Sequence, residues 1–231
     1  MSKHIEEMFS VGAHYGYSKS RQHPTVAPYL YGVKDGVLIF DLEKTEELLE
    51  KAKAFVAKLA YEGRQILFVT GKRQAMPTLK EAAIKIDQPY VAGRWIGGTI
   101  TNFEEIQKRV ARLEKLTEEK EKGLLAKYTK KERLLIDREI EKLTSRFGGI
   151  LNMKKKPAAF FIIDGDQEDI ARAEAVNENI PIVSLCGSDC NLKNIDHPIT
   201  ANDSSIESIT YFMNEIVKSF EEGAKTPKVV K

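Results

Sequence analysis

The sequence predicts an α/β fold in which a doubly wound parallel sheet carries an inserted helical hairpin. Three observations predict it: continuous apolar runs of strand length, apolar residues at helical spacing between those runs, and a long charged segment without a plausible strand. Continuous apolar runs are typical of parallel strands that helices cover on both faces. Strands that alternate with helices along the chain favour a doubly wound sheet.

The predicted strands are distributed over both halves of the chain, and helical spacing separates most of them. A last helix fits residues 204–222, with Asn202, Asp203 or Ser204 available as its cap. The strand-like runs are residues 37–41, 66–70, 89–92, 158–164 and 181–186.

The segment 103–147 differs from the rest because it is rich in charges of both signs and has narrow apolar stripes. Residues three or four apart form these stripes, as in a coiled-coil seam. We interpret the segment as two antiparallel helices that protrude as a hairpin; the alternative is a helix pair packed flat on the domain. The stripe residues are Phe103, Ile106, Val110 and Leu113, then Ile136, Ile140, Leu143 and Phe147.

This interpretation divides the chain into three parts. Residues 1–102 and 148–223 form one discontinuous α/β domain, residues 103–147 form the hairpin, and residues 224–231 form a flexible basic tail.

Composition limits the classes of protein to which the chain can belong. Lys and Arg total 36 against 34 Asp and Glu, so a net charge of +2 gives no global basicity and any RNA contact must come from local patches. Two cysteines are too few for a disulfide framework and fit a reducing compartment. The N-terminal residues show no apolar h-region behind a basic start, and no apolar run approaches the length of a membrane span. We therefore expect a cytoplasmic protein.

The strand ends lack the motifs of common enzymes. No Gly-x-Gly-x-x-Gly follows a strand, and the segment 71–73 lacks the earlier glycine and the Ser/Thr of a Walker loop. Backbone N–H groups and cations there could face a phosphate, or the segment could be an ordinary turn. No catalytic set and no cofactor are predicted, although a nucleotide- or phosphosugar-binding enzyme or regulator is the rival hypothesis.

Local basic clusters are the candidate RNA contacts, because each could neutralise phosphates. The alternative for each cluster is a solvated loop or helix face. The candidates are Lys19, Arg21, Lys72, Arg73, Arg94, Lys108, Arg109, Arg112, Lys154, Lys155 and Lys156.

The segment 94–102 combines the single tryptophan, two adjacent glycines, hydroxyls and an amide. We expect Trp95 to pack in the core and Thr101 or Asn102 to cap the helix that starts at Phe103. Gly97 and Gly98 are predicted to be structurally necessary, because glycine permits positive φ and close approach of other groups.

Cys186, Cys190 and His197 invite a metal hypothesis. A structural zinc site needs four well-placed ligands, and the sequence contains no second cysteine pair. We therefore predict buried thiols and no metal.

Residues 94–103, followed by a charged helical hairpin and residues 148–154, closely resemble the signature order of the bacterial small-subunit ribosomal protein S-two family. Further matches are residues 12–16, 28–29, 39–45, 68–75 and 201–203. The resemblance implies a flavodoxin-like sheet with a projecting coiled coil. It also implies a non-catalytic structural component, seated between head and body on the solvent side of the small subunit. The implied partners are small-subunit rRNA and neighbouring ribosomal proteins, including ribosomal protein S-one.

The chain departs from the family pattern at three places. Tyr17 stands where the family usually has histidine, Gln22-His23 where it has Trp-Asn, and Asp164-Gly165 where it has Asp-Pro. The first two departures lie in the N-terminal segment, whose particular RNA or metal contacts they put in question.

Overall fold

The computed structural model describes residues 3–226, which form two sheets and a set of helices. The strands are β1 (Tyr15–Ser18), β2 (Leu30–Lys34), β3 (Val37–Phe40), β4 (Ile66–Thr70), β5 (Tyr90–Ala92), β6 (Ala159–Ile163), β7 (Ile182–Cys186) and β8 (His197–Thr200). The helices are α1 (Lys3–Ser10), α2 (Leu42–Tyr61), α3 (Met76–Lys85), α4 (Phe103–Glu121), α5 (Lys130–Phe147), α6 (Asp169–Asn177) and α7 (Ile206–Lys225).

The central sheet is parallel, with five strands in the order β5-β4-β6-β7-β8. Counted along the chain from β4, this order is 2-1-3-4-5, which is that of flavodoxin-like folds. Phe68 of β4 lies opposite Tyr90 on one side and opposite Phe161 on the other. The predicted parallel α/β sheet is therefore confirmed.

Apolar side chains cover both faces of this sheet, which explains why its strands have continuous apolar runs. Phe68 and Phe161 point into a cluster that α2, α3 and α7 complete. Leu67 and Phe160, one residue away in each strand, point into a second cluster with α6, Trp95 and the first half of α4. Period-two alternation between two apolar clusters is the expected packing of a buried strand.

The prediction that residues 37–41 form a strand of the parallel sheet is wrong. Strand β3 lies instead in a separate antiparallel sheet with the order β1-β3-β2. Asp35 and Gly36, both at positive φ (51° and 79°), form the tight turn between β2 and β3. An Asp-Gly pair between two strands is a strong hairpin signal. The fifth parallel strand is β8, a short segment containing Pro198 that the apolar-run criterion missed.

Helices α4 and α5 occupy most of the segment in which a helical hairpin was predicted, and they contact each other. Arg112 pairs with Glu139 at 3.2 Å and Lys120 with Asp137 at 2.7 Å, so the two helices run in opposite directions. Helix α5 begins with a capping box in which the side chains of Thr129 and Glu132 bond reciprocally to backbone N–H groups. Thr129 and Glu132 therefore form both hydrogen bonds of the capping box at the N-terminus of α5.

The first half of the α4 stripe does more than contact α5. Ile106 and Val110 are buried against the parallel sheet, in the cluster that also contains Trp95 and Phe147. Asn102 is at the N-cap position of α4, but its side chain makes no capping hydrogen bond, contrary to the expectation for that residue. The base of the helix pair is therefore held by core packing rather than by a side-chain cap.

The predicted flexible tail was expected to begin at residue 224, but the last helix extends past that position. Helix α7 continues to Lys225, so Ala224 and Lys225 are helical and not part of a tail. Residues 227–231 lie outside the described part of the chain. In the part that is described, no helix combines the length and the apolar character that crossing a membrane requires.

The two adjacent glycines are not equivalent, which corrects the prediction that both are necessary. Gly98 has φ +87°, a conformation that L side chains rarely adopt, and an added Cβ would lie 3.4 Å from the Cβ of Asn102. Gly97 is not among the residues at positive φ, and an added Cβ would meet nothing within 4 Å. Only Gly98 requires glycine in this turn.

Replacing Gly98 with alanine should lower the free energy of unfolding by about 1–2 kcal/mol, because the strained backbone conformation must be kept with a Cβ present. Gly97→Ala is the matched control and should change it by less than about 0.5 kcal/mol. Urea unfolding of both variants measures the difference. If both substitutions lower the free energy of unfolding equally, the positive φ of Gly98 is not the reason that this turn contains glycine.

The strand-end crevice and candidate nucleic-acid interface

Polar and charged side chains gather at the carboxyl ends of the parallel strands. In this topology the strand order reverses between β4 and β6, and the loops that follow these two strands diverge there to leave a crevice. Gly71 and Lys72 follow β4, while Asp164 and Glu168 follow β6. Segments far apart in sequence thus meet at one edge of the sheet.

Lys72 is buried in an ion cluster at this edge. Its Nζ lies 3.0 Å from Oδ2 of Asp164 and 2.9 Å from Oδ2 of Asp203, and it donates to the Tyr17 hydroxyl at 3.3 Å. Burial alone would lower the pKa of Lys72, but the two carboxylates outweigh burial and raise the pKa above its usual value. The same burial raises the pKa of Asp203.

This geometry does not favour phosphate binding by Lys72. The lysine is only 8% exposed and is already neutralised by two carboxylates. A phosphate would have to displace an acidic partner from a buried ion pair, which costs several kcal/mol. Tyr17, which departs from the family pattern, also shares a hydrogen bond of 2.6 Å with Ser204. Tyr17, the residue that differs from the family pattern, is therefore part of the buried ion cluster around Lys72.

Glu168 is another buried charged group of the crevice, with 6% exposure. Its carboxyl accepts a hydrogen bond from the backbone N–H of Gly71, and no ion pair to it is found within residues 3–226. Burial is the main cause that raises the pKa of Glu168 to about 7, and the nearby Asp164 and Asp169 act in the same direction. The N–H of Gly71 is therefore already used by a carboxyl and does not face a free anion site.

Glu174 of α6 organises the segment that contains the glycine pair. Its carboxylate accepts hydrogen bonds from the Trp95 indole at 3.0 Å, from the Gly98 N–H at 2.7 Å, and from the Ile100 N–H at 3.0 Å. Two more come from the backbone and hydroxyl of Thr101, at 3.1 and 3.2 Å. Burial tends to raise the pKa of Glu174, but these donors stabilise the ionised form and hold the pKa below its usual value.

Glu174 was not predicted from the sequence, where it is one of many acidic residues. Its partners lie 73–79 residues earlier in the chain, so only the fold brings them together. As expected, Trp95 is buried, with its ring 5.9 Å from that of Phe160. The organised segment holds Arg94 at the surface, immediately before the buried tryptophan.

Arg94 is exposed and lines three adjoining clefts. One cleft of about 310 Å³ lies beside Glu168, a second of about 360 Å³ extends to Lys80, and a third of about 460 Å³ extends to Gly97. Arg146, in the last turn of α5, lines the second and third clefts. Arg146 and Lys80 were missed at the level of sequence, because neither lies in a basic cluster.

The other predicted RNA contacts fall into two groups. Several already have acidic partners: Arg21 with Asp189, Lys108 with Glu105, Arg112 with Glu139, Lys154 with Glu114 and Lys156 with Glu178. Arg21 also lies over the ring of Tyr17, 4.5 Å from its centre. Within residues 3–226, four exposed candidates form no ion pair: Lys19, Arg73, Arg109 and Lys155.

Cys186 and Cys190 are buried free thiols. His197 stacks on Phe55, with ring centres 4.4 Å apart. Over the described residues, no group of three or more His, Cys, Asp and Glu side chains is placed to hold a metal ion.

Comparison with known proteins adds to this geometry. A family profile described as "Ribosomal protein S2" matches residues 8–223 of the chain. The chain belongs to the ribosomal protein S2 family. The S2 profile spans both sheets and both helices of the charged segment, α4 and α5.

Curated relatives agree with the profile, and each is described as "Small ribosomal subunit protein uS2". The protein from Bdellovibrio bacteriovorus is 40% identical over 96% of this chain and 71% of its own length. The protein from Roseiflexus castenholzii is 42% identical over 95% of this chain and 83% of its own length. The S2 family is one of ribosomal proteins and not of enzymes, in agreement with the lack of catalytic motifs.

Proposed function

We propose that the chain is a structural constituent of the small ribosomal subunit that binds rRNA and neighbouring ribosomal proteins. The observation that carries this proposal is its membership of the S2 family over nearly its whole length, with relatives described as small-subunit proteins. Such a component acts in the cytoplasm as part of the subunit.

The RNA is held by backbone contacts at several separate basic points. Arg94 and Arg146 supply one point, because both are exposed and line the same two clefts. Lys19, Arg73, Arg109 and Lys155 supply others, since they form no ion pair within residues 3–226. The five cations paired with acidic residues contribute less, because a phosphate must compete with a carboxylate for each of them. Arg and Lys contacts to phosphates fix position and give strong dependence on salt.

Residues 103–147 form a coiled-coil hairpin that projects from one discontinuous domain, residues 1–102 and 148–223. The ion pairs between α4 and α5 support this arrangement. Small-angle X-ray scattering tests it. A projecting hairpin should give a radius of gyration above the roughly 17 Å expected for a compact chain of this length. A radius at that value would favour a helix pair packed flat.

Ribosomal protein S-one docks on an apolar groove of about 450 Å³ between α1 and the antiparallel sheet. Phe9 and Tyr31 line this groove and are 62% and 84% exposed. Exposed aromatic patches of this kind mark protein interfaces. Glu6, Asp41 and Glu43 also line it, so the docked segment should carry apolar side chains with basic residues beside them.

The rival function, a nucleotide- or phosphosugar-binding enzyme, finds little support at the strand ends. The only lysine of the predicted phosphate loop, Lys72, is held by two carboxylates. The first N–H of that loop, at Gly71, is bonded to a third carboxyl, that of Glu168. These groups would repel a free phosphate rather than bind it.

Reconstitution of small subunits that lack this protein tests the proposed function. The purified chain should sediment with the subunits, and the double variant Arg94→Ala, Arg146→Ala should bind more weakly with a salt slope smaller by about two. Lys120→Ala in the helix pair is the matched control, because Lys120 is engaged with Asp137. Recovery of the wild-type chain only in light fractions would contradict the proposal.

The same reconstituted subunits also test the proposed docking of ribosomal protein S-one. Tyr31→Ser should reduce the amount of S-one recovered with the subunits without affecting incorporation of the chain itself. Unchanged S-one recovery would show that the groove at Tyr31 is not its docking surface.

A further inference from the structure

We propose that the cleft whose lining includes Gly71, Arg94, Trp95, Glu168 and Asp169 binds one unpaired guanine nucleotide of the RNA. The proposal rests on the proposed function, because it assumes that RNA reaches Arg94. It goes further by assigning a base-reading site to a protein whose other RNA contacts are directed at the backbone.

The position of the cleft is the first argument. Gly71 follows β4 and Glu168 follows β6, so the cleft lies where the strand order of the sheet reverses. In open parallel sheets this is the place where ligands bind, because the loops on its two sides diverge. Its volume of about 310 Å³ is at the lower end of ligand pockets and suits a single base better than a larger molecule.

The carboxyl of Glu168 is the second argument. The side chain is 6% exposed, yet it lines the cleft and has no cationic partner within residues 3–226. Its one hydrogen bond within the chain comes from the Gly71 backbone. A carboxylate has about four acceptor positions, so the group retains capacity for a ligand that presents donors.

The chemistry of the bases selects guanine. Its Watson–Crick edge presents two adjacent donors, N1–H and the N2 amino group, which one carboxylate can accept together. Adenine, cytosine and uracil each present a single donor on that edge, next to an acceptor that a carboxylate would repel. Unpaired bases splayed from RNA are commonly recognised on this edge.

Arg94 completes the site on the outside. It is exposed, it lines this cleft, and with Arg146 it lines two adjoining clefts. The site therefore has a negative interior and a positive mouth. A nucleotide fits this distribution of charge if the donor edge of its base enters the cleft and its phosphate stays near Arg94. A free phosphate does not fit, because the interior of the cleft is negative.

Gly71 is required for the site because it lets Glu168 approach the backbone. A Cβ at Gly71 would collide with Oε1 of Glu168. Trp95 supplies an apolar wall that Glu174 holds in place through the indole N–H. The Glu168 carboxyl and the Trp95 wall are thus positioned before RNA binds, which reduces the entropic cost of binding.

Binding of short single-stranded RNA to the full chain tests the proposal. The probes are a fluorescent oligouridine and versions of it that carry one central guanine, inosine or adenine. At about pH 8, where most Glu168 carboxyls are ionised, the wild-type chain should bind the guanine probe about 10-fold more tightly than the adenine and uridine probes. Inosine, which lacks the amino group, should fall between them.

Substitutions separate base reading from backbone binding. Glu168→Gln should reduce the guanine preference to less than about 2-fold, whereas Arg94→Ala should weaken binding of all four probes equally and keep the preference. Asp166→Asn, an exposed acid on the same loop, is the matched control and should keep the preference. Thermal melting of each variant checks that it is folded.

The outcomes distinguish this inference from the function on which it rests. Equal binding of all probes by the wild-type chain, or a guanine preference that survives Glu168→Gln, would overturn the base-reading site. Binding to none of the probes would overturn it as well. In each of these cases sedimentation of the chain with small subunits still decides the proposed function separately.

Discussion

Replacement of Lys72 with methionine should lower the free energy of unfolding by about 3–5 kcal/mol, the range found when one partner of a buried ion pair is removed. Methionine retains most of the side-chain volume but leaves Asp164 and Asp203 buried without their cation. Urea unfolding near neutral pH measures the loss. Arg73→Met, at the next position but exposed, is the matched control and should change stability by less than about 0.5 kcal/mol.

The loss in the Lys72 variant should depend on pH in a defined direction. Without the lysine, burial raises the pKa of Asp203 further, so the native state binds more protons than the unfolded state as the medium becomes acidic. Stability of the variant relative to the wild type should therefore recover as pH falls toward the usual carboxyl pKa. Combining Lys72→Met with Asp203→Asn should also restore part of the loss. Equal stability of the Lys72 and Arg73 variants would contradict the ion cluster.

Replacement of Glu174 with glutamine should cost about 2–4 kcal/mol, because the amide nitrogen turns a donor toward the donors of Trp95, Gly98 or Thr101. The variant should also incorporate poorly into small subunits, since the segment that carries Arg94 loses its anchor. Glu178→Gln, one helical turn later with a single ion pair to Lys156, should cost under about 1 kcal/mol and incorporate normally.

The pH dependence of the free energy of unfolding tests the role of Glu174 separately. The hydrogen bonds hold its pKa below the usual value, so its contribution to stability is present above that value and is lost as pH falls through the lower, folded-state pKa. The difference between wild type and Glu174→Gln should therefore shrink in acid. A difference that stays constant with pH would mean that the ionised carboxylate is not what organises the segment.

Much of the fold could be predicted from local patterns, because burial on both faces requires continuous apolar strands and helices require apolar residues at fixed spacing. Residues 66–70 and 158–164 were recognised as strands for this reason, and the corresponding β4 and β6 are fully buried. The segment 103–147 was recognised as helical from its stripes, and the core position of Trp95 follows from its size and apolar character.

Tertiary structure alone decided the roles of the charged residues. The local sequence around a lysine that follows a strand does not show whether the lysine faces a phosphate or carboxylates. The partners of Lys72 lie 92 residues away at Asp164 and still further along the chain at Asp203. Glu174 is likewise indistinguishable from a solvated acid until the fold brings Trp95 to it. The energy of a charge depends on burial and on which groups surround it, and both are properties of the folded chain.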